Sequence, residues 1–291
     1  MHSLIGDCRS VKDKHMKKIG FVILTWNSEQ VIGKCLASIA GLESVKPFAV
    51  IIDNGSIDGT LKTVSQYKKK FPALFTVLRY RKNMGTTVSR NAGIKRLLDR
   101  GFDCICILDS DTVVNDSAFL TLTAELDAHP EYGVIGPKLV TSGGVVQMSA
   151  RCFPTFLEKL YKACPIEHLQ KKGEAMEKQE PPHCGMTSWP VDYLMSACWL
   201  VRPDVFQKAG LLDEKIFYAP EDAEFCIRVW KAAYQAAYCP GAEIIHEWQR
   251  LSKRKLISRI NWEHCKGLLH MFCKHRYLLS AKKLRKQFDK S

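Results

Sequence analysis

The chain has 291 residues, 46% of them hydrophobic, enough to bury a substantial core in one large α/β domain or two small ones. Its net charge of +13 is uneven: residues 1–18 carry +3, residues 251–291 carry +10, and the body between them is neutral. No apolar run approaches the roughly 20 residues that span a bilayer, and the charged N-terminus lacks the apolar stretch of a signal peptide.

From Ile19 the pattern is β then α, repeated. Ile19–Leu24 reads as a strand, followed by the turn and cap Thr25-Trp26-Asn27-Ser28 and a helical pattern through Val31, Cys35, Leu36 and Ile39. Phe48–Ile52 is a second strand ending at Asp53-Asn54-Gly55-Ser56, and a helix begins near Asp58. Leu74–Leu78 is a third strand. A loop with Asn83 and Gly85 then leads into a helix through Val88, Ala92 and Leu97. The run Cys104-Ile105-Cys106-Ile107-Leu108 is a fourth, fully apolar strand and ends in Asp109-Ser110-Asp111. Three βα units followed by a strand predict a right-handed, mostly parallel sheet with helices on both faces. Residues 142–190 read as a long, partly mobile loop of the kind that often forms a lid. Tyr193–Val201 reads as a core strand, Glu221–Ala233 as a helix and Ala242–Ile245 as a short strand ending at His246.

Twelve cysteines sit largely inside apolar runs, among them Cys104, Cys106, Cys198 and Cys226, with no Cys-x-x-Cys pair. Free buried thiols in a reducing cytosol fit this pattern better than a disulfide scaffold, and a zinc site is not expected.

Ligands of open α/β sheets bind beyond the carboxyl ends of the strands. There, Asp109 and Asp111 would repel each other unless a cation sat between them. Oxygen ligands favour Mg²⁺ or Mn²⁺ shared with a substrate phosphate. A capping Asp beside a solvated one is the plainer reading. Strand ends pointing one way bring Thr25-Trp26-Asn27, Asp53-Asn54-Gly55-Ser56 and Asp109-Ser110-Asp111 to one edge, which can hold a nucleotide diphosphate. Asn83, Gly85 and Arg90 lie on the next loop, where Arg90 reads either as a phosphate partner or as a helix-surface cation. Glu221-Asp222 opens a helix, either as an acidic first turn or as the source of a general base. His246, at a strand end, reads as a structural residue or as a third metal contact beside Asp111.

Taken in order, Thr25-Trp26-Asn27, Asp53-Asn54-Gly55-Ser56-Ile57-Asp58-Gly59-Thr60, Asn83-x-Gly85, Asp109-Ser110-Asp111, Glu221-Asp222 and His246 resemble the family 2 glycosyltransferases of the GT-A fold. The rhamnosyltransferase-like and galactofuranosyltransferase-like branch is the most similar, over residues 19–250. The resemblance implies an inverting transfer from a UDP- or dTDP-linked sugar with Mg²⁺ or Mn²⁺, to a glycan or lipid-linked glycan acceptor in surface polysaccharide biosynthesis. Asp53 would contact the base and Asp109 the ribose or diphosphate side. Asp111 and His246, with Asp109 beside them, would bind metal. Thr25, Trp26, Asn27, Asn54, Gly55, Asn83, Gly85, Arg90 and Ser110 would complete the donor site. Asp222 would be the base and Glu221 would assist or bind acceptor. Arg228 matches the family's Glu-Asp-x-x-x-x-x-Arg pattern in a structural role. Two departures stand out: Thr86-Thr87-Val88-Ser89-Arg90-Asn91 replaces a Gly/Asn-rich run, and Ser196 replaces a small Gly expected near the acceptor.

A haloacid-dehalogenase-like phosphatase would use Asp109 as nucleophile and Asp111 as acid/base. That motif belongs on the first strand of its domain and leaves residues 19–108 unexplained. A nucleic-acid-binding protein would use the basic ends, but the body is neutral and carries no nucleic-acid motif; no nucleic-acid partner is expected. In the tail, Ile257, Ile260, Leu268, Leu269 and Phe272 fall near helical spacing with Trp262 and many Lys/Arg between. This reads either as an interfacial helix on anionic lipid or as a helix packed on the body. The expected organisation is a basic segment 1–18, a GT-A domain 19–250 with a nucleotide-sugar half 19–115 and an acceptor half 116–250, and a basic helical tail 251–291. A cytoplasmic enzyme, peripheral on the inner membrane face, is the expected setting.

Overall fold

The computed structural model describes residues 16–179, 185–247 and 259–288, so the extreme N-terminal segment and Ile257 of the tail lie outside the described residues. In chain order the elements are β1 (Lys18–Thr25), α1 (Ile32–Ala40), β2 (Lys46–Asp53), α2 (Thr60–Lys70), β3 (Phe75–Arg79), α3 (Thr86–Leu98), β4 (Cys104–Asp109) and β5 (Thr112–Val113). There follow α4 (Asp116–Ala128), β6 (Tyr132–Val140), β7 (Val146–Gln147), β8 (Ala150–Arg151), α5 (Phe156–Ala163), α6 (Glu167–Glu177), β9 (Trp189–Val191), β10 (Tyr193–Leu194) and β11 (Cys198–Val201). The chain continues through α7 (Pro203–Lys208), α8 (Glu221–Lys231), β12 (Gln235–His246), α9 (Arg259–His275) and α10 (Lys282–Phe288).

The main sheet runs β3-β2-β1-β4-β11-β6-β12-β5. Strands β1 to β4 pair in parallel. Their register aligns Thr25 with Asp53 and Leu24 with Asp109, which brings three polar strand ends to one edge. The chain winds outward in both directions from β1, so the β1/β4 boundary is the switch point at which such sheets bind ligands. Beyond it, β11 runs antiparallel to β4 and β6, while β12 is parallel to β6.

Strand alternation divides the core between two faces. Ile19, Phe21 and Ile23 meet α1, α2 and α4, with the Phe21 and Phe119 rings 5.3 Å apart. Val22, Val50, Ile52, Ile105 and Ile107 meet α3 and share a cluster with Trp199 of β11 and Phe225 of α8. Phe225 is fully buried between Trp199 and Phe206, with ring centroids at 5.7 and 5.5 Å.

Two expectations change. Residues 142–190 are not simply a loop: they hold α5 and α6 as well as short strands. The buried positions on these helices are Glu158, Gly173 and Glu177, and the acids are neutralised by Arg151, Lys159 and Lys162. Phe156, Leu160 and Ile166 face outward, so no apolar face toward the body marks the helices in sequence. The span Tyr193–Val201 is two strands rather than one, with β10 leaving to pair with β8.

The tail helix α9 packs on the body. Met271 and Phe272 enter the core, Lys274 and His270 meet Asp213 at 2.6 and 2.9 Å, and His275 meets the fully buried Glu224 at 3.1 Å. Gly267 lies against the Ala219-Pro220 peptide so closely that a Cβ would run into the Ala219 carbonyl. No described helix is long and apolar enough to cross a membrane. Phe225→Ala should lower the unfolding free energy by about 3–5 kcal/mol, read from urea denaturation, because it empties a close-packed aromatic stack.

Candidate active site

The loops at the sheet edge are stitched together by short polar contacts. Asn27 adopts a left-handed backbone (φ 49°), donates its N–H to Ser56 Oγ at 3.0 Å and accepts from Ile57 N–H at 2.9 Å. Asn54 donates to Asn83 Oδ1 at 2.9 Å and accepts from Met84 N–H at 2.8 Å. Gly55 backs directly onto the Lys82 backbone. Gly85 has φ 88°, and a Cβ there would sit 2.6 Å from the Phe217 carbonyl that accepts the Thr86 N–H. Asn54 and Asn83 thus hold the loops together through their side chains, and Gly55 and Gly85 through close backbone approach. Asp53 is fully buried, and Thr25 Oγ1 is buried without a hydrogen-bond partner among the described residues. Trp26 stands exposed at the rim, while Ser110 bonds to Ser28 Oγ at 3.0 Å.

Asp109, Asp111 and His246 come together although they arrive on β4, the following turn and β12. Ligand atoms from all three lie within 4.8 Å of one another. His246 Nε2 lies 3.4 Å from Asp111 Oδ1, and its Nδ1 lies 2.7 Å from Gln147 Oε1. Burial works against the charged imidazole, but Asp111 and Asp109 outweigh it and raise the ring above its ordinary value. Two carboxylates and an imidazole converging at this distance fit a divalent cation.

Arg90 is buried, and this bears on both ends of the site. One amino group meets Asp109 Oδ1 at 2.6 Å; the other meets Glu221 Oε1 at 2.9 Å and Ser196 Oγ at 2.8 Å. Sequence reasoning offered a phosphate partner or a helix-surface cation; burial overturns the surface cation, and the guanidinium bridges Asp109 and Glu221. Burial and the adjacent Asp222 push the Glu221 carboxyl up to about 8 against the pull of Arg90. Burial also raises Asp109, opposed by the same guanidinium.

Asp222 differs from its neighbour. Its carboxylate accepts the Ala223 N–H at 2.8 Å, and no cation lies within ion-pair distance of it among the described residues. Burial raises it, while the Ala223 N–H, Arg151 and Arg90 pull the other way. Arg228 holds Glu224 one turn on, at 2.8 Å, in the structural role expected of it. Sequence reasoning missed Gln147 and Arg151. Their partners lie far away in the chain, and neither sits in a recognisable motif.

Residues 21–207 match the family described as Glycosyl transferase family 2. The chain belongs to that family. Its relatives include the N-acetylglucosaminyl-diphospho-decaprenol L-rhamnosyltransferase of Mycobacterium tuberculosis, 25% identical over 87% of this chain and 84% of that protein. A dTDP-rhamnosyl transferase of Shigella flexneri is 23% identical over 77% and 67%. Among solved structures, GalNAc-T7 with UDP, GalNAc and Mn²⁺ superposes with a TM-score of 0.69 at 15% identity, over 96% of this chain and 55% of that one. The Pyrobaculum calidifontis mannosyltransferase in complex with GDP-Man and Mn²⁺ gives 0.61 at 14% identity, over 94% and 69%. This family 2 enzyme is thus a glycosyltransferase of GT-A fold. Its Asp109-Ser110-Asp111 ends an inner strand of the sheet rather than the first strand that a phosphatase motif would occupy.

Two predictions concern the ion triad. Arg90→Leu leaves Asp109 and Glu221 without their shared cation and should lower stability by about 3 kcal/mol in chemical denaturation. Glu221 releases its proton near its ordinary 4.5 in the unfolded chain and near about 8 when folded, so the folded state holds more protons between those values. Its contribution is complete below 4.5 and is lost as pH rises toward 8. Glu221→Gln should flatten that decline in urea titrations across the window.

Proposed function

We propose that this enzyme transfers a sugar, with inversion, from a dTDP- or UDP-linked donor to a hydroxyl of a glycan or lipid-linked glycan acceptor in surface polysaccharide assembly. The observation that carries the reading is the Asp109–Asp111–His246 cluster, joined through Arg90 to Glu221 and so to the adjacent Asp222, whose carboxylate has no ion pair among the described residues. Asp109, Asp111 and His246 would hold Mg²⁺ or Mn²⁺, which supplies positive charge for the departing diphosphate. Asp53 accepts from a base N–H, and the loops carrying Thr25, Trp26, Asn27, Asn54, Gly55, Asn83, Gly85 and Ser110 frame the nucleotide. Asp222 takes the proton of the acceptor hydroxyl as its oxygen attacks the anomeric carbon. A single displacement inverts that carbon and needs no enzyme nucleophile. Arg90 keeps Glu221 occupied, so the basic role falls to Asp222 while Glu221 orders the acceptor end. The rhamnosyl relatives favour a dTDP-linked deoxysugar.

The same reading puts the enzyme at the cytoplasmic face of a membrane that carries the acceptor. On α5 and α6, the exposed Phe156, Leu160 and Ile166 flank an open groove of about 370 Å³ lined by Leu160, Tyr161, Ala163, Cys164 and Leu169. Lys159, Lys162 and Lys171 lie on the same hairpin, and Trp262 and Leu269 stand exposed on α9. Apolar side chains among lysines suit an anionic lipid surface. The membrane reading of the tail thus passes to this hairpin and the outer side of α9.

A panel of nucleotide sugars, scored for Mn²⁺-dependent binding and transfer, tests the chemistry. Asp111→Ala should weaken metal-dependent donor binding. Asp222→Asn should spare it and cut transfer by about 10²–10⁴-fold; normal transfer by both variants would sink the assignment. Replacing Phe156, Leu160 and Ile166 together by Ser should reduce sedimentation with anionic vesicles, and unchanged sedimentation would remove the membrane reading.

A further inference from the structure

Gln147 touches the cation cluster, and neither the family motifs nor the mechanism uses it. It lies on β7, buried, and the register places Gln147 and Ile244 on either side of Leu139, with His246 two residues further along β12. From there its side-chain amide makes two contacts with one residue. Nε2 donates to the His246 carbonyl at 2.7 Å, and Oε1 lies 2.7 Å from His246 Nδ1.

The chemistry of these groups leaves one arrangement. A backbone carbonyl can only accept, so the amide nitrogen faces it and the amide oxygen faces the ring. An amide oxygen also only accepts, so Nδ1 must carry a hydrogen. The neutral ring then presents a bare lone pair at Nε2, the nitrogen that points to Asp111. Outer-shell partners of metal-binding imidazoles act in this way, selecting the tautomer and fixing the ring plane.

We infer that Gln147 is a positioning residue of the cation site, holding His246 as the Nδ1–H tautomer so that Nε2 is presented as a ligand beside Asp109 and Asp111. This rests on the reading of those three residues as the cation site. No ligand of the cluster is itself altered by a change at Gln147. An effect there therefore isolates orientation and tautomer from ligand identity.

The test uses the full chain and Mn²⁺ as probe, followed by electron paramagnetic resonance with UDP present. Gln147→Met keeps the bulk and loses both hydrogen bonds; Mn²⁺ affinity should fall about 10–100-fold. Gln147→Glu keeps the acceptor for Nδ1–H and should retain most of the affinity, which a role in packing alone would not produce. Asp111→Ala reports on the site itself. If it loses Mn²⁺ while Gln147→Met binds like the parent, the site stands and the Gln147 role is overturned. Long-range ¹H–¹⁵N spectra of the metal-free parent at pH 9, with the His246 ring assigned through His246→Asn, provide a readout that needs no metal. Hydrogen on Nδ1 supports the inference, and hydrogen on Nε2 overturns it whatever the Mn²⁺ result.

Discussion

The buried guanidinium of Arg90 is the contact on which the site depends. It reaches Asp109 at one end and Glu221 at the other, and it touches Ser196 on the way. The guanidinium is buried while the Asp109 carboxylate is about a third exposed, and a positive charge held away from water needs close acidic partners. The pairing therefore fixes the distance between the end of β4 and the start of α8. It joins the parallel half of the sheet to the helix that carries Asp222.

The sheet sets up that bridge. Parallel pairing of β1 with β2 and β4 brings three polar strand ends level, and the antiparallel entry of β11 beside β4 delivers Ser196 next to Arg90. Strand β12 then returns His246 to Asp111 from the other half of the sheet. Asp109 and His246 end strands, Asp111 lies in the two-residue turn between β4 and β5, and Asp222 lies in the first turn of α8, so elements of the core hold the site.

The first four strands and their helices were legible because their signals are local: apolar runs of strand length, turn residues after them and helical spacing between. The cluster Asp109, Asp111 and His246 was legible through motif order. Residues 142–190 were not, since α5 and α6 bury acids against lysines and an arginine and expose Phe156, Leu160 and Ile166. Hydrophobic periodicity cannot report a helix held by charge. The burial of Arg90 was illegible for a different reason: nothing local distinguishes a helix-surface arginine from a buried one, because its partners lie at Asp109 and Glu221. Gln147 belongs to the same class, being defined wholly by a residue on another strand.

The seat of α9 has a consequence for how the enzyme loses order. Because Gly267 rests directly on the peptide preceding Glu221-Asp222, and His275 and Lys274 hold Glu224 beneath it, the start of α8 leans on α9. Partial opening that begins at α9 would withdraw that support from the first turn of α8. Shortening the chain before α9 would therefore act on Glu221 and Asp222 without touching either residue.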